Sequence, residues 1–531
     1  MKSLRLLTGG AAIALTTSLV ACGGPAPQTA ATKSIENVVV AVGALPDSLT
    51  PAPWGGSASH VVLSGLGSQL LEYKMGTSDG KSCPAPSTEV SGRLAESAKP
   101  SPDGTGVIVT LRKLTSQFGN TLSAEDVRWS FDIGMKRQPV MKGTLKSSGF
   151  NVDNLVKVID EHTFQLNTTG LTSYTEESLQ NNLFYIHDST EAKKHATADD
   201  PTANAWLSKN LADYSGWKLE EFTPGASLTV TADPQWEGTR GTVKRVSVKA
   251  VQSTATRSQL VETGEVQVAN GFEYDQYKSL EKSPGVTVMN CPSQTRDTMM
   301  INTKTGPLAD PKVRHAVSMA IDREALIKGA YAGFGEPAKS IFPNVDDSAI
   351  YKFNKDEAKK LLSEAGYGNG FPMTLSYSVT RPGPVAAKSA VLIQSMLKEV
   401  GIDVQLQNVA SSTDFSTALI DGRYQAVLYS EPIVIADPAF YSYAFYGSAA
   451  PSNSTGWSNP EFDKARSELA ATPDQETEKR DGLLKKMAGL VDEGAAILSL
   501  VETRGVLVTR EGLSGAVPLT NGQIHFNSLG R

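Results

Sequence analysis

Between residues 310 and 406 the chain alternates capped helices with β-rich runs, and this alternation restricts the fold more than any other feature. Asp310-Pro311 is a helix cap followed by proline at the first helical position, where its fixed φ and missing N–H cost nothing. Val313, Ala316, Val317, Ala320 and Ile321 then line one face at helical spacing. Asn354 with Glu357 predicts a capping box, and Leu361, Leu362 and Ala365 lead to a stop at Gly366. Val385 to Val400 predicts a long amphipathic helix stopped by Gly401, and Ile402 to Leu406 the strand that follows. Helices and strands alternating in this way bury their apolar faces by stacking into mixed α/β layers.

The same signals occur on both sides of this stretch. Val38 to Val42 is a β-rich run ended by Gly43 and Pro46, and Val107 to Leu111 is another. Ser123 caps a helix that carries Val127, Phe131 and Ile133, with Asp126 placed to return the capping hydrogen bond. Leu228 to Ala232 and Arg245 to Val251 read as strands. Ala465, Leu469, Leu483, Leu484, Met487 and Leu490 mark late helices. At roughly 100–200 residues per domain, 531 residues allow two to four domains or lobes.

The N-terminus reads as an address. Lys2 and Arg5 precede an apolar stretch, Leu6 to Val20, too short for a bilayer span of about 20 residues but suited to a secretory signal. Leu19-Val20-Ala21-Cys22-Gly23 resembles a bacterial lipobox, which implies cleavage before Cys22 and lipidation of that residue. Gly23 to Lys33, rich in Gly, Pro, Ala and Thr, reads as a tether. Cys83 and Cys291 remain, either as a disulfide or as two buried thiols.

Composition and motifs thin out the chemistry. With Lys+Arg 50 and Asp+Glu 56 the net charge is −6, without the basic face of a nucleic-acid binder. The six His residues form no metal-ligand spacing such as His-Glu-x-x-His. No Gly-x-Ser-x-Gly elbow, phosphate loop or dinucleotide turn is present, so the expectation is a protein without enzymatic turnover, cofactor or resident metal. Scattered acids leave a glycosidase-like carboxylate pair open. His315 reads as a helix-boundary residue.

Four segments resemble the peptide/nickel class, family 5, of the solute-binding proteins of ATP-binding-cassette importers. They are Arg93 to Ser97 with Val109 to Lys113 and Leu122 to Val127; Leu260 with Gly264-Glu265-Val266, where Gln267 replaces the usual Asp; Ile301-Asn302-Thr303 through Asp310, Arg314 and Ala320 to Arg323; and Asp356 to Tyr367. Most of these residues read as structural, with Arg314 and Asp322 fixing helix packing rather than touching ligand. The resemblance implies an α/β fold of the periplasmic-binding-protein type (type II, cluster C): two lobes joined by crossing hinge strands, with an extra subdomain on the first. The implied divisions are a lipoprotein signal over residues 1–21 and a tether over 22–34. Lobe I spans 35–290 with its subdomain at about 63–186, lobe II spans 291–498, and 499–531 returns to lobe I. Hinge closure around a ligand is the implied motion. Implied partners are a small-molecule or short-peptide ligand, a permease and ATPase, and the membrane through the lipid anchor; the protein itself is expected to be a monomer.

The resemblance also locates a cleft. Peptide-binding members carry an acid four residues before an Asp-Pro proline, which pairs with the ligand ammonium, and a Trp three residues before that acid. Aligned on Asp437-Pro438, Val434 takes the acid position and Glu431 the Trp position. Either the ligand lacks a free amine, the favoured reading, or Glu431 takes over the pairing. Arg381-Pro382 resembles the Arg-Pro whose guanidinium meets the ligand carboxylate. Trp54, Tyr429 and Trp457 are candidate aromatic lining, whereas Trp129 and Trp236 read as structural. Leu211 to Trp217 replaces a family turn and predicts an altered rim. A sensor or adhesin of the same fold, and nickel or haem uptake, are the competing expectations.

Overall fold

The computed structural model describes residues 35–51, 57–74, 76, 82–83, 87, 89–304, 306–342, 345, 350, 352–379, 383–431, 435–450, 453–518 and 524–531. Cys22 and Trp54, two of the candidate functional residues, lie outside them, as do Arg381 and Val434.

Among the described residues one mixed sheet runs through the body. Its order is Ile402–Asn408, Phe371–Tyr377, Ala426–Glu431, Val286–Ile301, Ile497–Arg510, Val268–Ala269, Asn37–Val42, Arg245–Ala250, Ser227–Ala232 and Trp217–Thr223. Asn37–Val42 shows why its sequence is a continuous apolar run. Val38, Val40 and Val42 enter one core cluster while Val39 and Ala41 face another, so both faces are covered.

Two long strands in the middle of this order carry the architecture. Val286–Ile301 pairs with Ile497–Arg510 antiparallel along nearly its whole length, with register shifts between Pro292 and Arg296 and between Asp297 and Thr298. On one side of the shifts, Met289, Cys291 and Leu507 pack with the first lobe's strands. On the other, Met299, Met300, Ile301, Ile497 and Leu498 pack into the second lobe's core with the helices Pro311–Ala320 and Val385–Lys398. A third core, Leu70 to Ile186 with Tyr214 and Trp236, fills the subdomain around the four-stranded sheet of Ala95–Pro100, Gly106–Leu111, Thr163–Asn167 and Val156–Val158. The fold is the two-lobed α/β architecture with crossing strands.

Local signals are borne out where they are local. Ser123 and Asp126 form the reciprocal capping box, and Asp310 caps Pro311–Ala320 through the Lys312 amide. Arg314, buried on that helix, donates to the Leu308, Ala309 and Gly494 carbonyls, and Asp322 caps Arg323–Ala330. Asn354 accepts from the Glu357 amide, but the reciprocal half of the expected box is absent: Glu357 pairs with Lys360 instead, a partner one helical turn on. Gly366 ends the helix at φ +86°, with the Tyr367 amide donating back to Leu362. The open choice at the cysteines closes on a disulfide, Cys83–Cys291, with Cα atoms 5.3 Å apart. Leu211 to Trp217 is no rim: every residue of it is buried, and Asp213 accepts from the Tyr185 and Ser215 hydroxyls inside lobe I.

Candidate ligand site

Where the long strands pass between the lobes, the apolar core gives way to charge. Arg296 stands opposite Glu431 on one neighbouring strand and Glu502 on the other, so three charged side chains lie in a row on one face of the sheet. Glu431 and Arg296 are buried, at 1% and 3% exposure. Burial on that scale costs a charged group heavily unless it is paired and hydrogen-bonded.

The pairing here is incomplete. Glu431 Oε2 accepts from the Tyr446 hydroxyl at 2.6 Å, while Oε1 has no hydrogen-bond partner among the described residues. Arg296 donates through Nη1 to the Ile341 carbonyl at 2.8 Å, while its Nε–H has none. Burial pushes the Glu431 carboxyl up to about 7; Arg296 and the Tyr446 hydroxyl oppose that rise, and Asp297 adds to it. Asp297, on the opposite face, accepts from Tyr331 at 2.6 Å and is itself raised to about 6, again chiefly by burial. Burial likewise raises Glu502. Tyr446 is presented by a π-helical turn, Ser442–Tyr446, and braced edge-on by Phe342.

The chain continues from Glu431 through three residues outside the description to Ile435, and there the first lobe takes hold of it. The Ala436 amide donates to Glu177 Oε1 at 2.6 Å and to the Tyr73 hydroxyl at 3.0 Å, and Tyr73 itself donates to the same Glu177 oxygen at 2.5 Å. Asp437 caps the short helix Pro438–Tyr441 through the Ala439 amide and accepts from Arg480 at 2.7 Å and from Ser173 at 2.8 Å. Tyr174 packs edge-on against Phe440 within the second lobe's core while its hydroxyl donates to Ser147 in the subdomain. The cleft segment is thus held at one end by the crossing strands and at the other by side chains of the opposite lobe.

Of the candidate residues that the structure describes, Glu431 lies at the crossing. Tyr429, on the same strand two residues earlier, is 4% exposed and packs on Phe445 in the second lobe's core. Trp457 packs edge-on against Phe462 and lies so close over Gly494 that a Cβ there would meet the indole at 2.2 Å. Trp236 donates to the Tyr214 carbonyl, and Trp129 is half-buried against a small cluster of Ile133, Ala192, Leu207 and Ala212. His315 donates from Nε2 to the Asp492 carbonyl at 2.8 Å, a helix-packing contact. Arg296, Asp297 and Tyr446 were missed by sequence reasoning; the one signal for the first two was an adjacent Arg-Asp pair opening an otherwise apolar strand end. No group of three or more His, Cys, Asp or Glu that could hold a metal is present among the described residues.

Comparison with known proteins identifies the family of this fold. The family model for bacterial extracellular solute-binding proteins, family 5 (Middle), matches residues 89–453. The chain is 26% identical over 504 residues to a protein of Escherichia coli (strain K12) named as the probable D,D-dipeptide-binding periplasmic protein DdpA, covering 93% of this chain and 94% of that one. Among solved structures, the periplasmic binding protein DppA of Helicobacter pylori in complex with peptide STSA superposes with a TM-score of 0.78 at 23% identity, covering 94% and 98% of the two chains. The binding protein AgaA of A. tumefaciens R10 in complex with agropinic acid superposes at 0.75 and 21% identity, over 93% and 98%. With more than half of its length matched by the family model, the chain belongs to family 5 of the bacterial extracellular solute-binding proteins, the solute-capturing components of ATP-binding-cassette importers.

Proposed function

We propose that this protein captures a small peptide-like or organic-acid solute between its lobes and delivers it to a membrane permease driven by an ATPase. The observation that carries this reading is the row Glu502–Arg296–Glu431, with a carboxylate oxygen and a guanidinium N–H that are buried and without a partner among the described residues where the strands pass between the lobes. Buried polar atoms are nearly always satisfied, so a pair left open at such a place is suited to a ligand. Arg381 meets the ligand carboxylate. Val434 supplies no countercharge for an ammonium, which favours an anionic or amine-blocked solute. A second reading has support in Glu431: its open oxygen stands ready for a ligand ammonium or amide N–H. The likeness in fold to one chain that holds peptide STSA and another that holds agropinic acid fits either reading.

Calorimetry with N-acylated and free dipeptides and with small carboxylic acids separates them. Arg381→Ala is expected to weaken a carboxylate ligand by about 30-fold to several thousand-fold, the equivalent of a lost charge-assisted pair at 2–5 kcal/mol, and a neutral one little. Tight binding of free dipeptides that Arg381→Ala leaves intact and Glu431→Gln abolishes assigns the amine to Glu431.

The divisions into lobe I at 35–290, lobe II at 291–498 and a returning segment at 499–531 belong to the same proposal, as does action as a monomer without catalytic turnover. So does the anchor: Cys22, lipidated, holds the body to the outer face of the cytoplasmic membrane through the 22–34 tether. Cys22→Ser is expected to move the protein out of the detergent phase or leave an uncut precursor, and unchanged partitioning refutes the anchor.

A further inference from the structure

The subdomain side chains that grip the far end of the cleft segment have no role in the function as stated so far. They come from two places in the first lobe, the strand Leu71–Tyr73 and the stretch from Ser173 to the short helix Glu177–Gln180. They converge on two consecutive residues of the second lobe. Glu177 and Tyr73 take the Ala436 backbone amide, and Ser173 takes the Asp437 carboxylate, while the Ser173 amide donates to the Ala470 carbonyl at 2.8 Å. Side chains of one lobe hydrogen-bonded to the backbone of the other can all be satisfied only with the lobes together. Tyr73 is further packed against Ala436 and Tyr441.

We propose that Tyr73, Ser173 and Glu177 form a clasp that closes the first lobe onto the backbone immediately after the cleft segment and so sets how firmly the lobes stay shut over a captured solute. This rests on the solute-capture reading. The clasp is proton-linked. Facing Glu177 are Tyr73 from its own lobe and Ala436, Asp437 and Asp474 from the other, with Tyr441 against Tyr73. The nearby cation, Arg480, is engaged by Asp437 at 2.7 Å and by Asp474 at 3.4 Å, and among the described residues no cation pairs with Glu177. Burial therefore dominates and pushes the Glu177 carboxyl up to about 8; the Tyr73 and Ala436 hydrogen bonds oppose that rise, and Asp437 and Asp474 add to it. A carboxyl with a raised value in the closed form takes up a proton on closing. Closure is favoured fully below the ordinary carboxylate range and loses that support as pH rises through about 8.

Amide exchange at Ala436, followed by mass spectrometry on the full chain without added solute, reads the clasp directly. Glu177→Ala is expected to speed exchange there by about tenfold or more, the worth of one or two hydrogen bonds to a buried carboxyl. Tyr73→Phe gives a smaller rise. Glu177→Gln, which keeps an acceptor oxygen, retains protection. After correction for base catalysis, protection in the parent protein falls between pH 7 and 9, and in Glu177→Gln it stays flat. Should Glu177→Ala loosen the whole fold, seen as lost protection along Ala426–Glu431, the Tyr73→Phe and Glu177→Gln profiles decide. Unchanged exchange in Glu177→Ala and Tyr73→Phe, or identical pH profiles for the parent and Glu177→Gln, overturns the clasp. Because no solute is used, failure to find a ligand leaves this result standing, and a confirmed ligand with unaffected exchange refutes the clasp alone.

Discussion

Glu431 holds a charge-bearing group where water does not reach, and its neighbours only partly compensate. Its carboxyl sits at about 7 in the fold, above the ordinary value of 4.5, because burial outweighs Arg296 and Tyr446. A carboxyl raised on folding contributes stability that is intact below its ordinary value and lost as pH climbs through the raised one. The parent protein is therefore expected to lose about 2–3 kcal/mol between pH 5 and 8 from this group alone, at about 1.4 kcal/mol per unit. Glu431→Gln keeps an acceptor for Tyr446 and lacks the titration, so its melting temperature should exceed the parent's at pH 8 and converge on it at pH 5. Parallel melting curves for the two across that range show the residue is not buried as described. How much of this was legible depends on distance along the chain. Asp310 and Ser123 act on residues two or three positions away and could be read off directly. Glu431 could be flagged, but its hydroxyl partner stands 15 residues on and its cross-strand partner belongs to another segment altogether. Tyr429 shows the converse: an aromatic near a cleft motif and an aromatic in the core have the same letter, and only packing separates them.

At the scale of elements, strands and helices with their own caps and stops were legible, whereas pairing was not. Nothing local in Val286–Ile301 says that its partner is Ile497–Arg510, since each has apolar ends around a polar middle and the two lie far apart in the chain. The covalent link across lobe I was equally open, because 208 residues separate its cysteines. In the structure that bond ties Cys291, within the first half of the long strand, to the connection between the strands Leu71–Tyr73 and Val90–Gly92. Closing so long a loop restricts the unfolded chain, so replacing both cysteines by serine should lower the unfolding free energy by about 2–5 kcal/mol. Denaturant titration with and without reductant measures it, and a double variant as stable as the oxidised parent removes the bond from the account. The serine variant is also expected to keep its fold, since Cys291 is held in a core of Val38, Val248, Met289 and Leu507 as well.

The whole molecule was legible only through resemblance. Composition and periodicity give α/β layers; that those layers form two lobes sharing a pair of strands follows from family membership and is visible in the distribution of cores. Closure around a solute should show as a fall in radius of gyration on saturation with a ligand found by thermal-shift screening, measured by small-angle scattering. A ligand that raises the melting temperature yet leaves the scattering curve unchanged means capture without lobe movement.

The long strands also dictate what kind of movement is available. A two-stranded ribbon resists stretching through its hydrogen bonds and yields readily to twist, most of all at irregular register. The shifts lie between Pro292 and Thr298, and Cys291, one residue before them, is fastened by its disulfide. With that end fastened into the first lobe's core, lobe rotation is expected to concentrate in the few residues that follow, as twist in a torsion bar does beyond its clamp. A shorter free length makes a stiffer spring. Reducing the disulfide is therefore expected to release the clamp, lengthen the bar toward Val286 and make lobe rotation easier.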